Sequence, residues 1–109
     1  MAKTGGLGDL IRHAQQMQRK MAEVQSELKE RVVEAAAGGG MVTVMANGHQ
    51  EIVAVKIDKE VVDPEDVGML EDLVQLAANQ ALKKAKELAA EEMKKVTGGI
   101  NLPGMSGIL

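Results

Sequence analysis

The sequence predicts an α+β fold in the order helix, three-stranded antiparallel meander, helix (α-β-β-β-α). Three observations predict it. A heptad-spaced apolar stripe fills the first thirty residues. Short β-rich runs then alternate with Gly38-Gly39-Gly40 and Asn47-Gly48. A second amphipathic stretch follows Asp63-Pro64.

The first element rests on Leu7, Leu10, Ala14, Met17, Met21, Val24 and Leu28, which step along the chain by alternating threes and fours. That is an a/d seam, and it predicts a helix over about residues 7–30. Asp9 is a candidate N-cap, with Gly8 before it. Such a helix is roughly 36 Å long, whereas a compact domain of this size has a radius of gyration of only about 13 Å. Part of it must project or pack along another long helix. Leu10, Met17, Met21, Val24 and Leu28 are the residues expected to form a dimer or coiled-coil seam.

Arg31-Val32-Val33-Glu34-Ala35-Ala36-Ala37 reads as the first strand, and the three glycines after it as a flexible turn. Met41 to Ala46 reads as the second strand. Asn47-Gly48 is a hairpin signal, because a type I′ turn needs positive φ at both central positions. The return strand runs from about Glu51 to Ile57, with Val53, Val55 and Ile57 on one face and Ala54 and Lys56 on the other. Asp63-Pro64-Glu65-Asp66 reads as a helix start, with Asp63 as cap and proline at the first helical position. Gly68 is expected to split a first turn from the main helix. That helix carries Leu70, Leu73, Val74, Ala77, Ala81, Ala85 and Leu88 and closes at Thr97-Gly98-Gly99. Its alanines allow another element to approach closely. Asn79 is either a buried polar pin or a solvent-facing residue. Residues 1–99 form one domain, and 100–109 are a flexible Gly/Pro-containing tail, with docking onto an apolar patch as the alternative.

Composition narrows the function. The 109 residues contain no Cys and no Phe, Tyr or Trp. Without cysteine there are no thiolate metal sites, disulfides or Cys nucleophiles. Without aromatics there is no stacking platform for single-stranded nucleic acid. The histidines, His13 and His49, are isolated from any metal-binding spacing, and the glycine run lacks the Lys-Ser/Thr of a phosphate loop. No catalytic residue, metal site or cofactor is expected, and an enzyme is not. No apolar run is long enough to span a bilayer, so no membrane role is expected. The first ten residues lack the apolar region of a secretory signal. These features fit a cytoplasmic protein.

The net charge is −3, but its distribution is uneven. The first twenty residues sum to +3, residues 21–82 to −8 and residues 83–109 to +2. From residue 10 to 22 there is no acid, while Arg12, Arg19 and Lys20 lie off the apolar seam. On the second helix Lys83, Lys84 and Lys86 form one cluster and Lys94 and Lys95 another. Acids interrupt them, and pairs such as Lys83–Glu87 and Glu91–Lys94 or Lys95 are expected to hold part of that charge as a solvated face.

The order of these pieces strongly resembles the YbaB/EbfC family of bacterial nucleoid-associated proteins. The resemblance is carried by the Met/Gln-rich first helix (Leu10 to Leu28), the hairpin segment 38–48 and Val55-Lys56-Ile57-Asp58. It continues through Leu70-Glu71-Asp72-Leu73-Val74, the alanine-rich run 77–85, Thr97-Gly98-Gly99 and Leu102-Pro103-Gly104-Met105. This chain has Gln80 where the family usually has an acid. The resemblance implies a homodimer with projecting helices that binds double-stranded DNA in the nucleoid with low sequence specificity. Carried over by position, the DNA-binding residues are Arg12, Arg19, Lys20, Lys83, Lys84, Lys94 and Lys95. The alternative is a protein-interaction dimer serving DNA repair or replication proteins, which the acidic middle and apolar tail would suit.

Overall fold

The computed structural model describes the backbone of residues 2–97 and the side chains of residues 6–97. Its elements are α1 (Ala2–Glu30), β1 (Val32–Ala37), β2 (Val42–Asn47), β3 (Ile52–Ile57), a single 3-10 turn (Lys59–Val61) and α2 (Val67–Thr97). The strands form one antiparallel sheet in the order β1-β2-β3. This is the α-β-β-β-α order that the periodicities predict. The tail, residues 100–109, lies outside the described residues.

Alternation along β2 decides where the core sits. Val42, Val44 and Ala46 point to one face and are fully buried, and register brings Ala35 and Ala37 of β1 beside Val44 and Val42. α2 closes this face with Ala77, Ala81 and Ala85, all fully buried. Spacing by four keeps the alanines on one stripe, and their small side chains let the helix lie close on the sheet. Leu70, Leu73, Val74, Ala78 and Leu82 flank the stripe, and Val61 from the 3-10 turn seals the cluster. α2 covers β1 and β2 and leaves β3 nearly untouched. Val55 and Ile57 share the covered face of β2 through register yet stay exposed. Between Met45 and Ala46 the register shifts, and β3 holds one extra residue, Val53.

Several local expectations change. The β2–β3 turn is not a two-residue type I′ turn. Asn47 belongs to the strand, and the positive φ falls on Gln50, at 61°. The reason is the Asn47 carboxamide, whose Oδ1 accepts hydrogen bonds from the backbone N–H of His49 and Glu51 and so builds a wider loop. Helix α2 starts later than Asp63. Asp63 instead closes a turn, accepting from Glu65 N, and Asp66 is the cap, its Oδ1 accepting from Met69 N at 3.2 Å. Gly68 then sits inside the first turn and splits nothing. α1 begins before Asp9, so Asp9 does not cap it. The three glycines after β1 all take positive φ, from 65° to 94°. Only glycine adopts that readily, and at Gly38 a Cβ would also stand 3.1 Å from Leu73. Asn79 is exposed rather than a buried pin.

The molecule measures 79 × 28 × 16 Å, with a radius of gyration of 20.9 Å. A compact chain of this length would have a radius of about 13 Å. Two helices of 29 and 31 residues beside strands of six cannot fit within a compact globule, and α1 contacts the other elements mainly at its C-terminal end.

Candidate nucleic-acid interface

α1 meets the rest of the chain at its C-terminal end. Leu28 is 1% exposed. Gln25 Nε2 contacts the Met93 sulfur at 3.6 Å, and Arg31, just past the helix, donates to Glu92 at 2.7 Å. α1 and α2 therefore run side by side at these ends. Of the expected seam, Leu28 packs within its own chain, Val24 and Met17 are half-buried, and Met21 and Leu10 are 37% and 67% exposed. Leu7 and Ile11 are open as well.

Arg12 and Arg19 are two turns apart on one flank of α1, opposite the Leu10–Leu28 stripe. Arg12 has 70% of its side chain exposed, and its nearest acid is Asp9 at 3.9 Å. Arg19 and Lys20 are exposed and, with Gln16 and Glu23, border a shallow open depression. Neither has an acid within ion-pair distance among the described residues.

On α2 the lysines sort by eleven-residue spacing, three turns of helix with little angular drift. Lys83 and Lys94 fall on the outward flank, opposite the buried alanines, and stand exposed without an ion pair among the described residues. Lys84 and Lys95 fall on the neighbouring flank, and both are engaged. Lys84 Nζ donates to the backbone carbonyl of Glu34 at 2.9 Å, on the free edge of β1. Lys95 Nζ lies 3.1 Å from Glu92 Oε1, which also takes Arg31. The expected pairs Lys83–Glu87 and Glu91–Lys94 are not formed. Glu92 is the acid used instead, and it takes both Lys95 and Arg31 at the helix junction. First Lys95 and then Arg31, by hydrogen bonding to its carboxylate, hold Glu92 below the ordinary carboxylate range.

The structure thus gathers two sets of open cations. Arg12, Arg19 and Lys20 lie on α1 before its hydrogen-bonded end at Gln25, and Lys83 and Lys94 on the outward flank of α2, diluted by Glu87 and Glu91. Sequence reasoning missed Arg31, whose partner is 61 residues away. It also missed the edge bond of Lys84, which needs the position of β1. Among the described residues no cluster of His, Cys, Asp or Glu is arranged to hold a metal. No described helix is long and apolar enough to cross a membrane.

Residues 3–100 match the family model described as the YbaB/EbfC DNA-binding family. A nucleoid-associated protein of Clostridium kluyveri is 54% identical over 101 residues, 93% of this chain and 89% of the relative. One from Thermoanaerobacter pseudethanolicus is 50% identical, covering 96% of this chain and 99% of its own length. Among solved structures, an uncharacterized protein from Helicobacter pylori superposes with a TM-score of 0.63 at 26% identity, over 84% of this chain and 89% of that one.

Proposed function

Because the chain belongs to the YbaB/EbfC DNA-binding family, we propose that it is a nucleoid-associated homodimer in the cytoplasm that grips duplex DNA by its phosphates. Arg12, Arg19 and Lys20 supply the main contacts, and Lys83 and Lys94 add to them. Lys84 and Lys95 each keep two further ammonium donors beyond their internal bonds and contribute less. The observation that carries this reading is the stretch of α1 before Gln25, a projecting rod on which Arg19 and Lys20 have no ion pair among the described residues and Arg12 has only an exposed one with Asp9 at 3.9 Å. Phosphate contact needs only charge and reach, so specificity is low and the binding is sensitive to salt. The acidic net charge does not oppose it, because the negative residues concentrate in the body and at the start of α2.

Homodimerisation is supported by β3. Ile52, Val53, Val55 and Ile57 are 42–51% exposed on an edge strand that α2 does not reach. An apolar edge of this kind invites pairing, and a second copy would cover it. Two copies double a weak arm into one divalent grip.

The test is a gel-shift series with random duplex DNA over increasing salt. Binding should fall along a log–log slope of about −0.9 per phosphate neutralised. Arg12→Ala with Arg19→Ala should weaken binding on all sequences alike and flatten that slope. A double variant that binds like the parent would remove α1 from the interface.

A second reading has its own observation. Met69 and Leu76 are 43% and 49% exposed, one heptad apart on the acidic first half of α2. That patch suits a protein partner, such as a repair or replication protein, and Leu76→Asp would abolish such capture while sparing DNA binding.

A further inference from the structure

We infer that the Asn47–Gln50 turn is the socket that aims the DNA-contacting arm, with Gly48 and His49 as its positioning residues. The inference rests on the reading of α1 as that arm. Among the described residues, the hydrogen bonds from α1 to the sheet and to α2 all lie at Gln25 or beyond, and two of the three go to this turn. The Gly48 N–H donates to Leu28 O at 2.8 Å and to Arg31 O at 3.1 Å. Leu28 O belongs to the last turn of α1, whose carbonyls lack i+4 partners inside the helix, and it also takes Arg31 N at 3.3 Å; Arg31 O lies just past the helix. His49 Nε2 lies 2.6 Å from Gln25 O. A carbonyl can only accept, so Nε2 carries the proton and donates.

The fit leaves no slack. A Cβ on Gly48 would stand 2.7 Å from both Leu28 Cδ2 and Leu28 O, and 2.8 Å from Leu28 Cβ. The turn itself is fixed from within. Asn47 is 4% exposed. Its Oδ1 accepts from His49 N at 2.9 Å and Glu51 N at 3.1 Å, while its Nδ2 donates to Glu51 Oε1 at 2.9 Å. The hairpin is thus a rigid block welded to the last turns of α1.

Leverage gives this contact its functional weight. Arg12 lies sixteen residues from Leu28, about 24 Å along the helix, so a tilt of roughly 10° at the socket moves Arg12 by about 4 Å. That is enough to turn a direct phosphate contact into a water-separated one. Small changes at the turn therefore reach the arm amplified, without touching a cation.

The sequence has no cysteine, so spin labels at Gln15→Cys on α1 and Gln80→Cys on α2 report the arm angle by pulsed electron resonance. Labelled chain is diluted with unlabelled chain so that each distance belongs to one molecule. His49→Ala should broaden and shift the distance distribution and weaken duplex DNA binding several-fold, with little change in melting temperature. His49→Gln, which restores a donor, should recover both. Gly48→Ala should shift the distance further. Gln50→Gly, in the same turn but without an arm contact, should change neither distance nor affinity. Unchanged distances in His49→Ala and Gly48→Ala overturn the socket. A shifted distance with unchanged affinity overturns its role in aiming. If Arg12→Ala with Arg19→Ala binds DNA like the parent, the arm reading has failed, and the distance measurements still judge the socket by themselves.

Discussion

α1 and α2 are nearly equal in length, at 29 and 31 residues, yet they are held in different ways. α2 lays three alanines flat on the sheet, each with no exposure. α1 has a longer and more regular apolar stripe but buries only its last member, Leu28, while Leu7 and Leu10 remain 61% and 67% exposed. Periodicity states that a helix has a face. It does not state where the matching surface lies. In α2 the match is the β1–β2 face of the same chain. In α1 the first half runs past everything the described chain can offer, and this leaves its outer flank free to meet a ligand.

The sharpest way to break this contrast is to put the same side chain on both helices. Ala81→Leu forces a leucine between α2 and the sheet. Overpacking of this kind costs about 1–3 kcal/mol. For a domain near this size, each kcal/mol lowers the melting temperature by roughly 4–8 °C. Ala14→Leu places the same residue on the exposed half of α1 and should stay within about 0.5 kcal/mol of the parent. Calorimetry on the two variants reads the difference directly. Equal destabilisation would mean that the first half of α1 is packed in solution, and the contrast would be gone.

A smaller change sharpens the part played by β3. Val55 is 47% exposed on the strand that α2 leaves open. Val55→Lys should leave the helical circular dichroism of the chain intact while halving its mass by light scattering at micromolar concentration. DNA affinity should fall with it, since the two arms would no longer act together. A parent with a dimer's mass and a lysine variant that kept it would move the proposed dimer contact elsewhere, with the exposed stripe of α1 as the next surface to test; a parent with a monomer's mass would remove the proposed dimer itself.

How much of this was legible in the sequence depended on the range of the interactions concerned. The heptad stripe, the three strands and the alanine stripe are written in neighbouring residues, and the two helices and three strands appear in the expected order, with the helix starts displaced. The turns were harder. Asn47-Gly48 has the composition of a tight hairpin, but Asn47 spends its side chain on His49 and Glu51, and Gly48 is there because α1 comes within contact distance. Asp63-Pro64 looks like a cap, yet Asp66 does the capping. For the cations, the sequence marks Lys83, Lys84, Lys94 and Lys95 as equals. Only the position of the β1 edge and of Arg31 separates the two engaged lysines from the two open ones. Long-range pairing is invisible to local spacing, and it decides which charges remain available.

The smallest expected effect tests the junction where the two helices meet. Glu92 takes Lys95 and Arg31 on one oxygen, at 3.1 and 2.7 Å, and its own side chain is only 16% exposed. These cations hold its carboxyl below the ordinary range, and the sign of the consequence follows. The folded chain favours the ionised form more than the unfolded chain does. The junction's contribution is therefore complete above the ordinary glutamate value of about 4.3 and fades as pH drops through the lower folded value. Glu92→Gln removes the charge at every pH. The difference in melting temperature between parent and Glu92→Gln should be small, constant from neutral pH down to about pH 5, and should close below that. Amide exchange at Gln25 to Glu30 should follow the same course, because the junction holds that end of α1. A difference that grew as pH fell would assign the ion pair the wrong sign. α1 would then be held to α2 by the Gln25–Met93 contact and the hairpin alone.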